Sequence, residues 1–166
     1  MTKSSTFLFS IFFFLLPMFL CGCVTHRDIA ADSQYPSDYV IGAVYRTKQP
    51  LVAMRVESSL LNRHSNFTFM PPKNFPTPSD FQAQPKHFRR QYVLFPADTD
   101  VQVERFDLEI NMENGTFMWI RSRILAGPLA GDELNLTFVS RVAGRSSLKA
   151  DLLMVDTNFL EQIEHQ

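Results

Sequence analysis

DVQVERFDLEINMENGTFMWIRSRIL, residues 100–125, is the stretch that decides the fold class. Val101 and Val103 alternate with polar residues, and Phe106, Leu108 and Ile110 then alternate in the opposite phase. A change of phase without loss of alternation needs one extra residue, so a β-bulge or strong bend is expected at Glu104-Arg105. Asn114-Gly115 can take positive φ at both central positions of a tight turn, and it predicts a hairpin. On the return strand, Thr116–Leu125, one face carries Met118, Ile120 and Ile124. The other carries Phe117, Trp119, Arg121 and Arg123. The stretch reads as a long, bent hairpin with one apolar face.

Shorter strand-like pieces surround it. Tyr39–Tyr45 and Leu51–Val56 are apolar runs separated by a turn-like Lys48-Gln49-Pro50, and Gln91–Phe95 is closed by Pro96. Leu134, Leu136 and Phe138 alternate after the turn signals Gly127-Pro128 and Gly131-Asp132, and Leu148–Val155 reads as a last strand. Asn158–His165 is expected to be a short helical turn. Short strands without a convincing amphipathic helix predict an all-β domain, a small barrel or sandwich.

The N-terminus, MTKSSTFLFSIFFFLLPMFLCGC, is a different kind of sequence. Six of the 16 Phe (Phe7, Phe9, Phe12, Phe13, Phe14 and Phe19) fall within it, and Lys3 is the sole charge before Arg27. A cationic start, an apolar segment and a small residue before a break is the layout of a secretory signal. Leu20-Cys21-Gly22-Cys23 resembles a bacterial lipobox. The resemblance implies that Cys23 receives a diacylglyceryl thioether and fatty acyl chains such as palmitate, with cleavage before it. Val24 at the next position implies, by similarity to enterobacterial sorting, an outer-membrane lipoprotein facing the periplasm. An inner-membrane anchor and a cell-surface location stay open, as do an ordinary signal-peptidase site and an uncleaved anchor over the 19 residues Phe7–Thr25. On this reading residues 1–22 are a lipoprotein signal peptide and 23–37 are the acylated Cys and a flexible tether. Residues 38–166 are then a single β-rich domain.

The two Cys fall at positions 21 and 23, so the cleaved chain keeps no disulfide and no thiol nucleophile. Losing Lys3 with the signal moves the formal charge from −1 to −2, and neither value attracts nucleic acid.

Residues 62–90 hold five of the 10 Pro together with Phe67, Phe69, Phe75, Phe81 and Phe88. They read as a long loop without secondary structure of its own, which either covers one open end of a barrel or binds a partner. Lys86-His87-Phe88-Arg89-Arg90 is the only basic run, at the end of this loop. The candidate binding surface is therefore Phe75, Phe81, Phe88, Arg89 and Arg90, with Trp119 on the hairpin.

Catalytic chemistry is not legible. His26, His64, His87 and His165 have no metal-ligand spacing, no G-x-S-x-G occurs, and the glycines are too scattered for a phosphate loop. Asp98, Asp100, Glu104, Asp107, Glu109 and Glu113 alternate with apolar residues and read as the solvent face of a strand. No cofactor is expected. Leu94–Val101 resembles a segment of small bacterial lipoproteins with SH3-like barrels, in which leucine-proline-x-Gly-Thr opens a strand; here Asp98 stands in place of that Gly. The resemblance implies an SH3-like β-barrel. The expected function is a non-catalytic, membrane-anchored envelope lipoprotein that binds or supports an envelope protein. The alternatives are an inhibitor or immunity-type protein plugging an enzyme with the 62–90 loop, and a binder of small ligands or glycans.

Overall fold

A computed structural model describes residues 24–56, 66–71, 73–74, 76–111, 115–146 and 149–163. The strands are β1 (Val24–Asp28), β2 (Val44–Thr47), β3 (Leu51–Val56), β4 (Asn66–Phe69), β5 (Tyr92–Phe95), β6 (Asp100–Asn111), β7 (Gly115–Ile124), β8 (Glu133–Asn135), β9 (Arg141–Arg145), β10 (Asp151–Met154) and β11 (Leu160–Ile163). Two short helices, α1 (Pro78–Ala83) and α2 (Pro85–Phe88), and a 3-10 turn at Thr137–Val139 complete the set. The fold is all-β.

The long hairpin is β6 and β7, paired antiparallel from Val101–Ile124 to Asn111–Gly115. Its register shifts between Val103 and Arg105, so Glu104 is the extra residue at the expected change of phase. Gly115, at φ 94, takes the left-handed conformation at the mouth of the turn, which a residue without Cβ adopts at no cost. Asn114 lies outside the described residues.

The bulge divides the outer edge of β6 between two partners. β2 pairs with Asp100–Gln102 before it, and β1 pairs with Asp107–Asn111 beyond it. Next to the bulge, Gly42 N–H donates to Val103 O (2.8 Å), Val103 N–H donates to Ala43 O (3.0 Å) and Ile29 N–H donates to Phe106 O (3.0 Å). The expected tether at 23–37 is thus partly built into the domain. Val24–Asp28 is a strand, and Ile29 and Tyr35 lie in the main core. The polar composition of VTHRD concealed this because β1 obtains its place from backbone pairing, not from an apolar face.

The nine-stranded sheet has the order β11-β2-β6-β7-β8-β4-β3-β5, with β1 on β6; the β4–β8 pair is parallel and the others antiparallel. Leu160 on β11 and Phe95 on β5, from opposite ends of that order, lie in one buried cluster with Val101, Leu108, Ile120 and Leu134. The sheet therefore curls around its core. The β5–β6 turn ties the two ends together, since Thr47 N–H donates to Thr99 O (3.0 Å) and Asp98 N–H donates to Thr47 O (2.8 Å). Asp98, where the resembling segments carry Gly, sits at φ 63, a conformation that Asp tolerates better than most residues.

Residues 62–90 are not a structureless loop. Asn66–Phe69 forms β4 inside the sheet, with Phe67 and Phe69 packed edge-on against Phe95. Thr77 caps α1: its hydroxyl accepts from Asp80 N–H, the Asp80 carboxylate accepts from Thr77 N–H (2.9 Å), and Pro78 starts the helix. The Thr77 hydroxyl also donates to the Asp80 carboxylate (2.6 Å), and this bond, together with the one from Thr77 N–H, holds the Asp80 carboxyl below its ordinary value. Phe81 and Phe88 from the two helices pack on Val52, Tyr92 and Leu94, covering the outer face of β3 and β5. β3 is consequently buried on both faces, which explains its unbroken apolar start Leu51-Val52-Ala53.

Two further boundaries differ from the sequence reading. The turn around Gly42 (φ 84) delays the second strand to Val44, and the C-terminal segment forms β11 against β2 instead of a helical turn. Ribbon β9–β10 stands apart from the main sheet.

Tyr39 and Tyr45 lock the start of β2 into the core, their rings 5.1 Å apart. The Tyr45 hydroxyl accepts from Val40 N–H (3.0 Å), and the Tyr39 hydroxyl shares a hydrogen bond with Ser140 Oγ (2.9 Å). Burial pushes both phenols above their ordinary 10.0. A raised phenol stabilises the fold fully below the unfolded value and loses that contribution as pH rises past it. In an alkaline titration followed at 295 nm, Tyr39 and Tyr45 are expected to ionise only as the circular dichroism of the fold collapses. Ionisation of all 4 Tyr with the fold intact would refute this burial.

Candidate functional site

The outer face of the hairpin carries two adjoining arrays. The first is ionic. Arg121 Nε lies 3.2 Å from Asp107 Oδ2 and its Nη1 lies 3.1 Å from Glu133 Oε1. Arg105 reaches the same two carboxylates, each at 3.1 Å. Beyond them Arg123 pairs with Glu104, the bulged residue, and Arg46 pairs with Asp100 at 2.7 Å. Asp100, Glu104 and Asp107 are thereby neutralised by cations on neighbouring strands, the arrangement of a strand face and not of a reactive pair. With His26, Arg27 and Asp28 of β1, the Arg105–Arg121 lattice lines a charged cleft of about 450 Å³.

The second array is aromatic and centres on Trp119. Its indole Nε1–H donates to Glu109 Oε2 (2.8 Å), and the Arg121 guanidinium carbon sits 5.5 Å from the ring centroid. Phe117 stacks on it at 6.0 Å and Phe138 meets it edge-on at 6.1 Å. Phe117 and Phe138 stay 39% and 46% exposed, so this row of rings is a surface feature and not a second core.

A groove of about 530 Å³ runs beside these rings, along the edge of β7 that faces away from β6. β8 covers that edge only at Arg121–Arg123. Further along, Ile120 O accepts from Leu136 N–H (3.0 Å), and the Thr137 hydroxyl accepts from Ile120 N–H (3.2 Å) and donates to Met118 O (3.3 Å). Strand alternation directs the backbone groups of Thr116 to the same side as those of Met118 and Ile120. Thr116 lies beyond the last of these partners and lines the groove directly. The opposite wall includes Phe138 and Val142, the latter 53% exposed, with Lys73 and Lys149 at the rim. Among the described residues no strand pairs with this edge at Thr116, and an unpaired edge beside exposed apolar side chains is a template for an added strand.

The residues singled out from sequence do not converge on one site. Phe81 and Phe88 are buried under α1 and α2, because packing on Val52 satisfies them. Arg89 and Arg90 are exposed in the turn after α2. Phe75 and Cys23 lie outside the described residues. Trp119 alone joins the groove region. Phe138 and Val142 were missed as site residues; the first reads as one more inward position after Leu134 and Leu136, until the 3-10 turn rotates it outward.

Comparison of the chain with family models, with curated proteins and with solved structures gives no match.

The lattice has a measurable signature. Asp107 and Glu133 side chains are only 13% and 19% exposed, so removing Arg121 leaves two shielded carboxylates sharing one cation. Arg121→Met is expected to cost about 1–3 kcal/mol in urea unfolding. The more exposed Arg105→Met should cost about 0–1 kcal/mol. Equal losses for the two variants would contradict the assignment of Arg121 as the shared bridge.

Proposed function

We propose that this chain is a non-catalytic, membrane-anchored envelope lipoprotein, facing the periplasm, that captures an extended segment of another envelope protein by strand addition along β7. The edge of β7 at Thr116, which no strand pairs among the described residues, is the observation that carries the binding reading. Backbone groups there supply affinity without sequence preference, while Phe138 and Val142 offer pockets for alternate side chains of the incoming strand. The anchor reading is supported by the lipobox-like Leu20-Cys21-Gly22-Cys23 and the apolar run before it. The binding reading is placed on β7 and not on 62–90, because β4, α1 and α2 build much of that stretch into the domain.

Two experiments test the two halves. Cells fed a clickable fatty acid should label the wild-type chain and leave Cys23→Ala unlabelled; an unlabelled wild type removes the lipoprotein reading. A photo-crosslinking amino acid at Phe138, in intact cells, should trap a discrete partner that the same group at Leu125 does not. Thr116→Pro removes the N–H aimed into the groove and should abolish that adduct while the thermal unfolding curve stays cooperative. A crosslink that survives Thr116→Pro in a folded protein would exclude strand addition.

A further inference from the structure

β1 does more than complete the edge of β6: it brings the start of the described chain to one end of the hairpin. Val24, its first residue, pairs with Asn111, the last residue of β6, and the strand then runs inward to Asp28 opposite Asp107. On the lipoprotein reading the lipid is carried by Cys23, one residue before Val24, whose strand starts at the turn end of the β6–β7 hairpin.

The hairpin end is built to meet such a surface. Ile110 continues the apolar face of Leu108 beyond the core and is 36% exposed; Phe117 lies on the opposite face, also exposed. The end therefore presents apolar groups on both sides. Lys73 and Lys149 line the groove that opens beside Gly115 and Thr116, where they complement anionic head groups. Aromatic and basic residues in that combination favour a membrane–water interface.

We propose that Ile110 and Phe117 rest in the head-group region of the membrane that holds residue 23, with β6 and β7 rising away from it. The groove along β7 then opens at the membrane surface, so its partner is a segment lying close to the bilayer. This orientation depends on the membrane attachment proposed above, and the experiment separates the two.

Full-length protein is purified from membranes and reconstituted in phosphatidylethanolamine–phosphatidylglycerol vesicles. Phe117→Cys and Leu125→Cys, both at exposed positions, are labelled with an environment-sensitive dye. Leu125 follows the far end of β7, about 30 Å along the strand from Gly115 at roughly 3.3 Å per residue. Quenching by head-group spin-labelled lipid should be at least threefold stronger at position 117 than at 125. Equal quenching, or stronger quenching at 125, in protein that floats with the vesicles would overturn the orientation while leaving the attachment standing. Protein that fails to float would overturn both. Ile110→Cys, on the other face of the same end, gives an independent reading should the Phe117 variant fold poorly, and it too must be quenched more strongly than 125.

Discussion

A single extra residue, Glu104, governs the architecture. Without the bulge, β6 would be a straight strand offering one continuous outer edge. With it, the edge breaks into two short antiparallel ladders, one taken by β2 and the other by β1. β2 recruits β11 on its far side, while β7 carries the sheet through β8 and β4 to β3 and β5. The curl that brings Leu160 and Phe95 into one core thus depends on the bend in the central hairpin. The bulged Glu104 side chain is itself clamped by Arg123, so the bend is fixed by an ion pair as well as by register.

The two faces of this hairpin differ in what they contribute. The inner face supplies Val101, Val103, Leu108, Met118 and Ile120 to the core. The outer face is divided in turn: the half near the bulge holds the Arg–carboxylate lattice, and the half near the turn holds Phe117, Trp119 and the open edge of β7. Charge neutralised by close partners offers little to an incoming ligand. An edge that no strand pairs among the described residues, beside exposed rings, offers much more, which is why the proposed binding is set on the turn half.

The hairpin, its bulge and the two faces of β7 were legible in the sequence because alternation over ten residues is a strong signal and a phase change has few causes. The Pro-rich stretch was harder. Phe67-Thr68-Phe69 alternates, and Thr77-Pro78-Ser79-Asp80 is a capping box with Pro at the first helical position, but elements of four to six residues are too short for periodicity to stand out from the surrounding prolines. β1 and β11 were hidden for another reason: both are short strands paired to an edge, and backbone groups carry no sequence signature. The groove was illegible for the same reason, since an open edge is defined by a strand that stops, here β8 after three residues.

The most direct test of this account is deletion of Glu104. The deletion leaves apolar and polar residues alternating perfectly through β6, so a view based on hydrophobic pattern alone expects a protein at least as stable as wild type. If the bend is what lets β1 and β2 share one edge, the shortened chain should lose more than about 2 kcal/mol in urea unfolding, or fail to unfold cooperatively at all. Wild-type stability with a cooperative transition would contradict the central role assigned to the bulge.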